Sequence, residues 1–242
     1  MKKSLKIAIV GYGKMGKVIE EKAIERGHTI ICKIDKDATD EDWKLLTNAD
    51  VAIEFTNPES AAENIKRCLN SNLPTIVGTT GWYQHFDEIK ELVNENNTAI
   101  LTATNFSIGV NLCSHLCKIL AQAMESLPEY DVEIEETHHT EKLDAPSGTA
   151  TTMADCIIKQ LTRKESWVLK ENQTKISELA ISAIRENDVP GTHKLKYSSA
   201  IDDIEIIHTA HNREGFAIGA VVAAEWIAGK KGIFTMTDLI GF

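Results

Sequence analysis

The chain has 242 residues and 43% apolar content, enough for one large or two modest domains with proper cores. A net charge of −10, with no basic stripe anywhere, argues against a nucleic-acid or anionic-membrane surface, so an anionic ligand would need a local basic pocket. Five cysteines (32, 68, 113, 117 and 156) form no CxxC and predict reduced, mostly buried thiols in a cytoplasmic protein.

The opening Met1-Lys2-Lys3-Ser4 runs into a strand of about six residues, too short for a signal-peptide core, and no run of 18 apolar residues offers a membrane span. Leu5 to Val10 is a continuous apolar, β-branched run, read as a buried parallel strand. It leads into Gly11-Tyr12-Gly13-Lys14-Met15-Gly16 and an amphipathic helix to about Arg26, closed by Gly27. GxGxxG is a weak pattern by itself, but a strand before it and a helix after it give it a mechanism. Gly11 permits the tight turn, Gly13 lets backbone approach a pyrophosphate, and Gly16 allows close helix–strand packing. The phosphates then meet a helix N-terminus, whose free N–H groups favour negative charge.

Thr29 to Ile34 predicts the second strand, with Asp35 at its end, 19 positions after the last glycine. A carboxylate there binds a ribose 2′-hydroxyl and repels a 2′-phosphate, which favours NADH; Lys36 and Lys14 soften that repulsion and leave NADPH open. Val51 to Phe55, a helix from Pro58 to about Asn70, Thr75 to Val77, a helix over 84–94 and Ala99 to Leu101 continue the alternation. The stretch 36–50 is short for a full helix. This grammar implies a doubly wound parallel sheet of Rossmann type. Phe55, Gly78-Thr79-Thr80 and Thr104-Asn105-Phe106-Ser107 all fall at carboxyl ends of predicted strands, where such folds bind nucleotides.

Beyond residue 105 the pattern changes. Val110 to Met124 predicts a long apolar helix, which accounts for Cys113 and Cys117 around His115 without a metal. Val132 to Glu136 reads as a strand, 148–162 as a helix, and 179–185, 193–198 and 204–210 as strands in hairpin-like succession. These predict an α+β module with a mixed or antiparallel sheet. A helix over Glu214 to Ala228 and a tail from Gly232 that packs back on the first domain complete the chain.

The segment Glu135-Glu136-Thr137-His138-His139-Thr140-Glu141-Lys142-Leu143-Asp144-Ala145-Pro146-Ser147-Gly148-Thr149-Ala150 concentrates the chemistry. Pro146 suits a helix entrance, Ser147 a helix N-cap, and Gly148 and Thr149 an exposed first turn that anchors a carboxylate. Consecutive His138 and His139 point opposite ways in extended chain, so one faces substrate while the other orients or binds. Lys142 adds a cationic donor. Glu135, Glu136, Glu141 and Asp144 are all near enough in sequence to keep a histidine protonated, and spacing alone does not choose among them.

Taken together, these stretches resemble the dihydrodipicolinate reductase (4-hydroxy-tetrahydrodipicolinate reductase) family of the diaminopimelate–lysine pathway. The likeness runs nearly end to end, through the glycine loop, Glu54-Phe55-Thr56, Gly78-Thr79-Thr80-Gly81, Thr104–Ser107 and His-His-x-x-Lys-x-Asp-Ala-Pro-Ser-Gly-Thr-Ala. It continues through Arg185, Gly191-Thr192-His193, Ile206-Ile207-His208 and Arg213–Ala220. The resemblance implies a dinucleotide-binding domain of residues 1–107 and 213–242, and a substrate-binding, tetramerising domain of 108–212. It also implies NADH or NADPH as cofactor, a small dicarboxylate as substrate, His138 as general acid, Lys142 as second proton donor, and His139, Ser147, Gly148 and Thr149 as substrate contacts. Two rivals share the nucleotide loop: another amino-acid or semialdehyde dehydrogenase, and an NADH-responsive sensor without an acid. Neither explains the His138–Thr149 segment.

Overall fold

The computed structural model describes residues 4–212 and 214–242. The chain divides into two compact units, Met1–Ile108 with Glu214–Phe242, and Gly109–Arg213. Arg213, part of the family-like run that opens the last helix, lies outside the described residues, as do residues 1–3.

In the first unit, strands β1 (Lys6–Val10), β2 (Thr29–Ile34), β3 (Val51–Glu54), β4 (Thr75–Val77) and β5 (Ala99–Thr102) alternate with helices α1 (Lys14–Glu25), α2 (Asp40–Lys44), α3 (Pro58–Asn70) and α4 (Phe86–Glu95). A last strand, here β11 (Gly232–Phe234), pairs parallel with β5, giving the order β11-β5-β4-β3-β1-β2. Every pair in this sheet is parallel. Buried on both faces, its four central strands β1, β3, β4 and β5 read as near-continuous apolar runs rather than alternating ones. Between β2 and β3 the chain has room only for α2, opened by a Thr39–Asp42 capping box, and one 3-10 turn over Leu45–Asn48. Asn57 caps α3 with Pro58 in its first turn. The last long helix, α7 (Glu214–Ile227), buries Ala217, Gly219, Ala220, Ala223 and Ala224. A Cβ at Gly219 would run into the Phe106 carbonyl, so only glycine admits this approach. α8 (Met236–Ile240) ends the chain.

The second unit holds α5 (Ile108–Met124), β6 (Asp131–His138), α6 (Gly148–Ile158), β7 (Ser166–Leu169), β8 (Glu178–Arg185), β9 (Gly191–Ser198) and β10 (Asp203–Ala210). Its sheet is mixed, in the order β10-β9-β6-β8-β7. The expected hairpin succession holds only for β9–β10. β6 lies between β8 and β9, parallel to the first and antiparallel to the second, because its Ile134 joins Ile181 and Leu195 in one core layer. Three further differences have local causes. β6 runs two residues beyond the expected Glu136, since the in–out alternation Val132, Ile134, Glu136, His138 persists to the strand end. α6 stops at Ile158 rather than 162, where Thr162 gives its N–H and hydroxyl to Glu125, at 3.0 and 2.5 Å. β7 is an edge strand of four residues beyond those predicted, too short for a period-2 signal.

Candidate active site

Four loops emerge from the carboxyl ends of β1, β3, β4 and β5, neighbours in the first sheet, with β1 flanked by β2 on one side and β3 on the other. That reversal of winding is where open α/β sheets bind nucleotides. Gly11 has φ +97° and a Cβ on it would strike the Phe55 carbonyl, so no other residue holds this turn. Gly16 packs against the Gly11 carbonyl in the same way, whereas a Cβ at Gly13 meets nothing within 4 Å. The exposed Gly13 therefore leaves open space in front of α1. That helix starts with no side-chain cap and no acidic residue in its first turn, so its N–H groups remain for an anion. This cradle fits a dinucleotide pyrophosphate. Asp35, exposed just past β2, accepts the Lys36 N–H at 3.0 Å. Tyr12 carries Lys33 over its ring at 4.6 Å and hydrogen-bonds Glu20. Lys14 is exposed and Met15 half-buried.

The next two loops are built on a buried acid that sequence spacing does not reveal. Glu54, fully buried at the end of β3, accepts from the Thr56 and Thr79 hydroxyls, and Thr79 Oγ1 accepts the Thr56 N–H at 2.7 Å. Thr79 thus ties two loops together, while Thr80 stays exposed. Gly78 passes under the Phe55 ring, which tilts against Phe106 at 5.7 Å. Phe106 is buried in the core, so it can offer a ligand only backbone. Thr104 is exposed, and Asn105 Oδ1 accepts the Ser107 N–H at 2.8 Å. Burial raises the Glu54 carboxyl to about 7 against the hydrogen bonds from Thr56 and Thr79. A carboxyl held above its unfolded value binds its proton tighter in the native state, so stability falls as pH rises from about 4.5 towards 7. Glu54→Gln is therefore expected to stabilise the protein at about pH 8 by on the order of 3 kcal/mol, with the gain gone near pH 4.5. Urea melts across that range measure it, and a pH-independent difference would contradict the buried-acid account.

In the second unit, β6 delivers Glu136 and His138 to the same helix-covered face as Val132 and Ile134. Glu136 is fully buried, His138 nearly so, and His139 half-buried on the other face, as alternation requires. Glu136 Oε1 accepts the Ser147 N–H at 3.0 Å and lies 3.3 Å from Arg185 Nη2. Its Oε2 lies 3.3 Å from His138 Nδ1 and 3.8 Å from His193 Nε2. Arg185 also donates to the Lys142 and Asp144 carbonyls, at 3.3 and 2.7 Å, clamping the loop that follows His139. Lys142 Nζ sits 2.7 Å from both Asp144 oxygens. Ser147 caps α6 by accepting the Ala150 N–H at 3.2 Å and lies 3.1 Å from His193 Nε2. The Ala145–Pro146 bond before it is cis. Gly148 is exposed with open space at its Cβ position, and Thr149 is half-buried, leaving a small-residue helix start able to grip a carboxylate.

The predicted His138, Lys142, Ser147, Gly148 and Thr149 thus share one segment of one unit, and Gly11–Gly16, Asp35 and the three loops share one sheet edge of the other. Arg185 and His193 were not predicted as site residues from their own spacing. A detectable signal existed for Glu136: the alternating core face of β6 ends in two ionisable residues where apolar ones should be. Glu136, His138 and His193 are also the one group of three His, Cys, Asp or Glu among the described residues with ligand atoms within 4.8 Å of each other. The Arg185 guanidinium and the Ser147 amide already satisfy one carboxylate oxygen, which makes this a hydrogen-bonded hub rather than a cation site. A separate cavity of about 650 Å³ in the first unit, lined by Leu5, Asp50, Val222, Glu225 and Trp226, contains none of these residues and presents two carboxylates, ill suited to a phosphate.

Models of the dihydrodipicolinate reductase N-terminus and C-terminus match residues 5–106 and 109–240. The chain is 45% identical to the 4-hydroxy-tetrahydrodipicolinate reductase of Christiangramia forsetii over 236 residues, 98% of each chain. It is 33% identical to that of Neisseria meningitidis serogroup B, covering 98% of this chain and 97% of the relative. A solved structure, the dipicolinate-bound dihydrodipicolinate reductase from Paenisporosarcina sp. TG-14, superimposes with a TM-score of 0.83 at 22% identity, over 98% of this chain and 99% of that one.

Proposed function

The chain belongs to the dihydrodipicolinate reductase family, and from that membership and the site we infer that it is a 4-hydroxy-tetrahydrodipicolinate reductase of diaminopimelate and lysine biosynthesis. The reading rests above all on His138, Lys142 and the Ser147–Thr149 helix start lying in one short segment fastened by Arg185. Gly11–Gly16, Asp35, Phe55, 78–80 and 104–107 would hold the nicotinamide cofactor, and the open cradle at Gly13 supports this. When bound, the reduced nicotinamide supplies a hydride. The chain's own residues then do three things. The first turn of α6 and Lys142 neutralise the carboxylates of the cyclic imine, and a desolvated surrounding strengthens those contacts. His139 touches substrate. His138 gives a proton to the ring as charge develops there, with Lys142 as second donor.

Loss of NADH absorbance only when ring substrate is supplied, made in situ by the preceding synthase, tests the activity against both a different dehydrogenase and a nucleotide sensor. For the cofactor, the exposed Asp35 favours NADH over NADPH through its carboxylate. Asp35→Asn is expected to shift the ratio of kcat/KM values towards NADPH by on the order of tenfold, measured with both cofactors at matched concentrations. An unchanged ratio would take Asp35 out of the ribose site. A homotetramer is part of the same reading. Leu112, Leu116 and Ile119 on α5 and Ile204 and Ile207 on β10 are exposed apolar side chains that self-association would cover.

A further inference from the structure

We propose that Glu136 is the positioning residue for His138. Its carboxylate holds the His138 proton on Nδ1, so that Nε2 is the atom that serves substrate, and it fastens the carboxylate anchor at the start of α6 to the same point. This deepens the function proposed above and rests on His138 being the acid.

Four carboxylates stand close in sequence to His138, and the fold chooses one. Glu135 faces away on β6, while Glu141 and Asp144 are exposed. Glu136 is fully buried, and its Oε2 and His138 Nδ1, both buried and hydrogen-bonded to no other group, lie 3.3 Å apart. A buried charge has to be matched, and a buried imidazole nitrogen has to be used. Glu136 Oε1 is already taken by the Ser147 N–H and Arg185, so Oε2 is the atom left for the histidine. Burial works against the carboxylate's charge, but His138 and the Ser147 amide hold it at about 2, so it is ionised throughout the neutral range. On the opposite edge of the ring, a Cβ at Gly191 would stand 3.0 Å from His138 Nε2, and glycine keeps that edge clear.

The other groups around the imidazole do not compete for this role. Arg185, its cross-strand neighbour on β8, donates only. His193, on β9, meets the His138 ring edge-on at 5.1 Å, and burial and the nearby His138 lower it to about 4, so it stays neutral. His208 on β10 lies behind His193, and Lys142 follows in the loop. One carboxylate therefore sets both the tautomer of the acid and the seat of the substrate anchor, as a second group does for a metal- or substrate-bound histidine.

The test is the tautomer itself. In the wild-type protein with 15N-labelled histidine, NMR of the neutral His138 imidazole is expected to find the proton on Nδ1, and a proton on Nε2 overturns the proposal. In Glu136→Gln the amide oxygen still serves Ser147 and Arg185 while its NH2 faces the ring. His138 is then expected to switch to the Nε2–H form, turnover to fall by roughly 10–100-fold, and the alkaline limb of the kcat–pH profile, where a general acid loses its proton, to move to lower pH, with NADH binding unchanged. His138→Ala separates the two ideas. If it is inactive while Glu136→Gln keeps the parent tautomer and pH profile, only the Glu136 role fails. If it is fully active, the acid assignment fails whatever Glu136 does.

Discussion

His138→Ala and Lys142→Ala are each expected to lower turnover by on the order of 10²–10³-fold while NADH binding survives. The first removes the imidazole buried at the end of β6, the proposed proton donor. The second removes the ammonium that pairs with Asp144 at 2.7 Å beside the helix start. Both side chains belong to the second compact unit, which has its own core of Ile134, Leu179, Ile181, Leu195 and Tyr197, whereas the loops proposed to hold the nucleotide sit on the other. Dinucleotide affinity should therefore stay within about twofold of the parent, measured by fluorescence titration with NADH. Steady-state rates with ring substrate provide the other half. Parent-like turnover in either variant would refute its assigned role.

The second large effect is expected at the glycine loop. Gly11→Ala should weaken NADH binding by on the order of 10²-fold and lower the melting temperature. Two costs combine there: a φ of +97° that side chains rarely adopt, and a Cβ driven into the Phe55 carbonyl. The loop has little freedom to yield, because the Gly11 N–H donates to Ile34 and the Phe55 N–H donates to Val10, both at 2.8 Å. Gly13→Ala makes the contrast. Its Cβ meets no protein atom within 4 Å and its φ is −78°, so it should melt like the parent yet lose NADH affinity by standing where the pyrophosphate approaches. Calorimetric titration with NADH beside thermal melts reads both variants. A Gly13→Ala protein with parent affinity would remove the loop from the nucleotide site.

Where the sequence reading succeeded, the cause was local. β2, α3 and β4 have the bounds read from residues alone, since each is marked by an apolar run or by Asn57 and Pro58 at a helix start. The short connection after Asp35 was equally legible, because 15 residues hold no full helix and two loops. The misses were of a different kind. The run of strands 179–185, 193–198 and 204–210 reads as hairpins, yet β6, from more than forty residues upstream, enters between β8 and β9. Nothing in a strand's own alternation says which partner it will take. The end of α6 depended on Glu125, 37 positions away, and no local signal carries that bond.

The sequence by itself determined the chemistry at hand: two imidazoles, an ammonium, a capped helix start and a glycine turn after a strand. Those are fixed by residue identity and near spacing, over distances where chain geometry leaves few choices. Only the tertiary structure decided which carboxylate stands against His138, that Arg185 from another strand clamps the Lys142 loop, and that a buried Glu54 braces the loops after β3 and β4. Each of these depends on burial and on partners from distant strands, and a charge's effect is set by what surrounds it rather than by its place in the chain.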